Sequence, residues 1–319
     1  MDKRIGLALG SGAAKGFAHI GVLKVLDEEK IPVDFIAGTS AGALIGVFYA
    51  SGISARKIEK IIINLNKKEI RTLFTPTFPH SGLVEGGRIT EFVKSIIGNP
   101  NIEELKIPFA TVSTDVMSGR EVIITKGSAV EAVRASISLP GIFTPCKYSG
   151  GFLVDGGLVN PLPVNCVRDM GADFIIAVNV LPSPKKEVYK KKKVYKLGIK
   201  NPERKLPTLP VSSNIVNRRI SQFLKPVKNF IDNPFLTFTD KLKTIRETPS
   251  IFTVMLQTVA ITEHQILCLQ LKSSKPDILI EPEVDSIKPF ELRKGKEAID
   301  EGEKAAIHAL SNSNLLCCD

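Results

Sequence analysis

Two short apolar runs, Ile5 to Leu9 and Val33 to Ala37, each lead through a glycine-rich turn into a helical pattern, at Phe17 to Lys30 and Ala41 to Ser51. Ile20, Leu23 and Leu26 share one face of the first helix. Strands separated by helices of this length pair in parallel, and the helices cover both faces of the resulting sheet. Further strands are expected at Phe109 to Ser113, Glu121 to Thr125, Phe152 to Val154, Phe174 to Val180 and Asp277 to Ile280. Ser54 is placed to cap a helix reaching Asn66. Ser128 with Glu131 has capping-box spacing for a helix to about Ser136, and Lys294 to Leu310 closes the pattern. The expectation is an α/β fold with a mainly parallel central sheet.

With 319 residues, 43% of them hydrophobic, the chain can bury a real core, which excludes a disordered tail, a collagen-like repeat and a disulfide-stapled miniprotein. Its net charge of +10 is not spread evenly. Lys185 to Arg246 holds 17 Lys and Arg against 4 Asp and Glu, a net of +13, leaving −3 for the rest. This segment opens with Pro182 and Pro184, contains the run Lys190 to Lys193 and shows no strand pattern. Val216, Ile220, Phe223, Leu224, Val227 and Ile231 fall near helical spacing opposite Arg218, Arg219, Lys225 and Lys228, with Pro226 placed to kink the helix. The reading is one domain from 1–182 and 248–319, interrupted by a basic insert or lid at 183–247.

Cys146, Cys166, Cys268, Cys317 and Cys318 are odd in number and show no C-x-x-C spacing, consistent with a reducing, cytoplasmic compartment. A signal peptide is rejected because glycines dilute the run after Lys3 and Arg4 and Lys15 ends it. Phe35 to Ala55 runs 21 residues without a charge, but four glycines and five hydroxyl residues argue against a membrane span.

The most specific local feature is Gly38-Thr39-Ser40-Ala41-Gly42 between a strand and a helix. A nucleophile elbow needs this arrangement, since the turn is so tight that small residues must flank the serine. The alternative is a glycine-rich packing turn. A second cluster, Gly10-Ser11-Gly12-Ala13-Ala14-Lys15-Gly16, follows the first strand and would offer backbone N–H groups to a phosphate or to an oxyanion. Nucleotide readings fail on spacing: Lys15 stands where a dinucleotide fingerprint needs glycine, and no Ser or Thr follows Gly-Lys as in a P-loop. Oxyanion binding is therefore favoured, with the two clusters side by side if their strands are neighbours. None of His19, His80, His264 and His308 follows a late strand as a triad base would, and His19 reads as a packed helix residue. Asp155 is better placed, because Phe152-Leu153-Val154 leads directly into Asp155-Gly156-Gly157.

In order and spacing, Leu7 to Gly16, Gly38 to Gly42 and Asp155 to Gly157 resemble the three signature blocks of the patatin-like phospholipase family. The likeness extends to His19 to Leu23 and Ser138 to Phe143, covers roughly residues 5 to 182, and is absent from the basic insert. It implies a three-layer α/β/α fold and a Ser40–Asp155 dyad that hydrolyses fatty-acyl esters of a phospholipid or lysophospholipid without histidine, metal or cofactor. Gly10, Gly12, Ala13 and Ala41 would form the oxyanion hole, and Lys15, Gly16, Gly38, Gly42, Gly156 and Gly157 complete the motifs. Lys15 departs from the arginine common in the family and cannot reproduce a bidentate guanidinium contact. An acyltransferase or acyl-thioesterase on the same fold, or a silent membrane-associated regulator, are the other readings.

The insert reads either as a solvated loop or as a cationic surface that holds the chain on anionic lipid at the inner face of a membrane. Nucleic acid is not expected as a partner, because only Tyr189 and Tyr195 accompany the lysine run and no reading module is present. If the membrane reading holds, deleting Lys185 to Lys205 lowers co-sedimentation with anionic vesicles and leaves the weaker association with neutral vesicles as it was.

Overall fold

The computed structural model describes residues 3–74, 84–148, 150–181 and 251–313. The insert at 183–247 and the cysteines Cys317 and Cys318 lie outside the described residues. In chain order the elements are β1 (Ile5–Leu9), α1 (Ala18–Glu28), β2 (Phe35–Thr39), α2 (Ala41–Ala50), α3 (Ala55–Ile63), α4 (Lys67–Leu73) and α5 (Gly87–Ile97). β3 (Phe109–Asp115), β4 (Glu121–Ile124), α6 (Ala129–Ser136), β5 (Cys146–Tyr148), β6 (Gly151–Asp155), α7 (Val164–Asp169) and β7 (Phe174–Val178) follow. α8 (Ile251–Ser273), β8 (Ile278–Ile280) and α9 (Gly295–Ser311) complete the described chain.

The expected strands are all present, with β2 starting two residues later than the apolar run suggests. The reason is Asp34, whose N–H donates to Ile5 O at 2.8 Å while its carboxylate accepts from Ile5 N–H at 2.6 Å, so it closes the strand pair instead of extending it. The uncharged stretch from Phe35 to Ala55 divides between β2, α2 and the start of α3. Among the described residues no helix is long and apolar enough to cross a membrane.

Hydrogen-bonded neighbours run β5-β6-β3-β2-β1-β7-β8, with β4 also paired to β3. The five strands β3, β2, β1, β7 and β8 are parallel, as expected. The other end is antiparallel, at β3–β4, β3–β6 and β5–β6, so the sheet as a whole is mixed. One consequence of register positions the site. β4 occupies one edge of β3 from Thr111 to Thr114, so β2, paired at Phe109 to Val112, and β6, paired at Ser113 to Asp115, must share the other edge end to end. The C-terminal end of β2 therefore meets the C-terminal end of β6.

Strand alternation separates two unlike faces. Leu7, Leu9, Ile36, Phe109, Ile176 and Val178 enter the large core, which is shared with α1, α2, α3, α5, α6 and α9. On the opposite face the strands present Ala8, Ala37, Ala110 and Ala177, and these small side chains let α7 and α8 approach through Val164, Val167 and Leu267. Helices thus cover both faces, giving three layers.

α1 and α9 are in close contact through glycine. A Cβ on Gly302 would collide with Ala18 O, and one on Gly21 with Ile299 O. Lys24 on α1 bonds Glu303 of α9 and, at 2.8 Å, Glu59 of α3. Gly302→Val should therefore force the two helices apart and cost about 1–3 kcal/mol, read as a lower urea midpoint with an unchanged slope.

Candidate active site

The tight turn after β2 puts Ser40 at φ 53°, ψ −115°, a backbone conformation that costs energy for any residue with a Cβ. Its neighbours make that conformation fit. A Cβ on Gly42 would strike Leu9 O of the adjacent strand, and one on Gly38 would sit 2.6 Å from the Ala43 backbone. Ser40 N–H donates to Ser136 Oγ at 2.9 Å, and Ser136 in turn donates to Val112 O at 2.6 Å. The Thr39 hydroxyl donates to Asn160 O at 2.8 Å. The elbow is thus held from both sides.

Asp155 arrives at the same point on the end of β6. Ser40 Oγ donates to Asp155 Oδ2 at 2.6 Å, and Gly157 N–H donates to Asp155 Oδ1 at 2.8 Å. Its backbone is fixed too, with Asp155 N–H donating to Ser138 O at 3.0 Å and Thr114 Oγ1 donating to Asp155 O at 2.8 Å. Gly156 has no room for a side chain, because its Cβ would collide with Val112 O. Burial pushes the Asp155 carboxyl above the usual carboxylate range, against the opposing pull of the Ser40 and Gly157 hydrogen bonds. Its basicity is therefore raised by the site itself.

The first glycine cluster lies beside the elbow, as neighbouring parallel strands require. A Cβ on Gly16 would meet the Ala41 side chain, so the loop and α2 are in direct contact. Gly10 N–H donates to Val178 O at 3.1 Å and Ser11 N–H to Pro161 O at 2.8 Å. The Gly10 N–H thus continues the β1–β7 ladder just beyond β1 and is already occupied, which speaks against the oxyanion role expected for it. Among the described residues no acceptor takes the N–H of Gly12, Ala13 or Ala41, so these three groups remain available. His19 is fully buried, with Nε2 2.8 Å from Gly10 O, and burial lowers its pKa to about 4. It fixes the loop and is no base. Lys15 is only 7% exposed; burial lowers its pKa and the charge of Asp285 partly restores it. Among the described residues no group of His, Cys, Asp and Glu is arranged to hold a metal.

A family model for patatin-like phospholipases matches residues 7–166, which span both glycine clusters and Asp155 to Gly157. The chain belongs to the patatin-like phospholipase family. An uncharacterized NTE family protein of Mycobacterium tuberculosis is 37% identical to this patatin-like chain over 177 residues, covering 56% of it and 49% of the relative. The neuropathy target esterase of Drosophila melanogaster is 37% identical over 181 residues, 55% of this chain and 13% of that one. A lysophospholipase of Pyricularia oryzae is 34% identical over 186 residues, 56% of this chain and 12% of that one. The chain thus spans half or less of the curated relatives it matches. The solved structure of VipD from Legionella pneumophila aligns with 97% of this chain and 66% of that one at 13% identity and a TM-score of 0.44.

Local pattern assigns no role to three groups at this patatin-like site. Ser136 sits at the end of a predicted helix and Ser138 in a loop, and their roles depend on a contact 96 and 17 residues away respectively. The third, Glu263, lies on a helix that hydrophobic periodicity does not announce.

Asp155 also has a thermodynamic signature. A carboxyl whose folded pKa exceeds its unfolded value adds stability below the unfolded pKa and loses it as pH rises through the folded pKa. Asp155→Asn, which keeps the acceptor for Gly157 but carries no charge, should raise Tm at about pH 7.5, with the gain vanishing near pH 4, close to the ordinary aspartate value. Thermal melts across that range are the check.

Proposed function

We propose that this chain is a serine acyl hydrolase acting on lipid esters, of phospholipase A or lysophospholipase type. The observation that carries the reading is the 2.6 Å hydrogen bond from Ser40 Oγ to a buried Asp155, made at a strained strand-to-helix turn. Ser40 Oγ attacks the acyl carbonyl carbon while Asp155 Oδ2 takes its proton. The N–H groups of Gly12 and Ala13, with that of Ala41 at the start of α2, receive the oxyanion, where both hydrogen bonding and the helix dipole favour negative charge. Collapse of the tetrahedral intermediate expels the alcohol, which leaves with the proton held by Asp155. A water molecule then gives its proton to Asp155 and attacks the acyl-Ser40 carbonyl, and the second intermediate releases the fatty acid as Asp155 returns that proton to Ser40 Oγ.

The raised basicity of Asp155 supports this division of labour, since an ordinary aspartate is a poor base near neutrality. The names of the relatives, an esterase and a lysophospholipase, support a lipid ester substrate. The net charge of +13 over Lys185 to Arg246 supports contact of that segment with anionic lipid.

The test is a panel of lysophospholipid, diacylphospholipid, monoacylglycerol and acyl-thioester substrates, run on wild type and Ser40→Ala. Hydrolysis should fall by a factor on the order of 10³ or more in the variant, and a fluorophosphonate probe should label Ser40 in wild type. Full activity in Ser40→Ala, or labelling of another serine, would overturn the proposal.

A further inference from the structure

Beside Ser40 and Asp155 stands a third buried polar group, on a helix with several exposed apolar side chains. Along α8 the side chains of Val254, Ile261 and Leu269 are exposed, yet Glu263 is only 9% exposed and turned into the protein. Its Oε1 accepts a hydrogen bond from Ser11 Oγ at 3.3 Å. The same oxygen lies against Gly157, where a Cβ would collide with it. Ser11 separates Gly10 from Gly12 in the first loop, and Gly157 supplies the N–H that holds Asp155 Oδ1. One side chain therefore touches both the loop that carries Gly12 and Ala13 and the turn that carries the base.

The charges around Glu263 decide its state. Among the described residues Asp155, across the turn after β6, is the one charged group that acts on it. Lys15, in the same loop as Ser11, is governed by its burial and by Asp285. Burial first, and the Asp155 charge second, push the Glu263 carboxyl upward. Two carboxylates this close in a water-poor site do not both ionise near neutrality. Ser40 and Gly157 both donate to Asp155, so the negative charge settles there and Glu263 keeps its proton.

We propose that Glu263 is a positioning residue for the hydrolysis, a neutral carboxylic acid that braces Ser11, and with it the N–H groups of Gly12 and Ala13, against the Asp155 turn. The inference rests on the Ser40–Asp155 reading and deepens it. Its logic is that the loop must already be aimed when charge develops on the acyl oxygen, because donors that first have to reorganise stabilise that charge less. The brace acts on the transition state and not on lipid binding, so its loss lowers kcat and leaves KM nearly constant. Glutamine reproduces a protonated glutamate, with an acceptor oxygen for Ser11 and no charge. Alanine and methionine do not.

The test uses the full chain and a soluble lysophospholipid. Glu263→Ala should lower kcat about tenfold, equivalent to ~1.4 kcal/mol, with KM within about twofold of wild type, and Glu263→Gln should recover most of the loss. Ser11→Ala removes the same hydrogen bond from the other side without emptying the carboxyl pocket, so its loss should match that of Glu263→Ala and the double variant should add little. Glu263→Met replaces a buried carboxyl that lies beside Asp155 by an apolar chain of similar length, and should raise Tm while lowering kcat. Fluorophosphonate labelling of Ser40 accompanies every variant. If Ser40 is not labelled in wild type, the dyad reading fails. If Ser40 is labelled but Glu263→Gln is as slow as Glu263→Ala, or the Ser11 and Glu263 losses simply add, the brace is wrong and the dyad stands.

Discussion

The edge of β3 is shared by two strands that approach from opposite ends. β2 runs along it to Val112, β6 runs back along it from Asp115, and the gap between them is where Ser40 and Asp155 face each other. The hydrogen-bond ladder sets this meeting point to within a residue, because a slip of one position would reverse which face each side chain takes. The mixed character of the sheet follows from the same demand. A parallel β6 would carry Asp155 to the wrong end of β3, whereas an antiparallel one delivers it to the elbow.

From that junction the remaining parts acquire their roles. The elbow is strained, so it is fastened by Ser136, Val112 and Asn160, and the glycines at 38 and 42 clear the space it needs. β1 lies next to β2, which places the first glycine loop against Ala41, and among the described residues no acceptor takes the N–H groups of Gly12 and Ala13. Sinking a carboxylate into this junction costs stability, and the same desolvation makes it a stronger base. Stability and basicity are therefore set against each other at Asp155.

Much of the layout is legible in the residues. Ile5 to Leu9 and the run before Gly38 announce neighbouring strands, and the small residues around Ser40 announce the elbow. Asp155 is legible only in combination with these, since Asp-Gly-Gly by itself describes a common turn. Gly10 shows the limit of motif reading. It belongs to the glycine cluster, yet its N–H is taken by Val178, a partner 168 residues away that no local pattern names. Ser136 and Ser138 fall under the same limit, as does β5, whose three residues are too few to show a period. α8 escapes notice because apolar residues lie all round it, so its inward face has no contrast with its outward one.

What the sequence determined by itself is local: where strands give way to helices, which turns are tight enough to demand glycine, and which serine stands exposed at such a turn. These depend on backbone sterics and on periodicity within a few residues, and they hold whatever the rest of the chain does. The tertiary structure decided which groups meet. Only sheet register brings Asp155 to within 2.6 Å of a serine 115 positions earlier, and only the packing of α8 carries Glu263 to Ser11, 252 positions away. Electrostatic character follows from those meetings and not from residue type, because the ionisation of a carboxyl is set by the water it has lost and the charges it has gained.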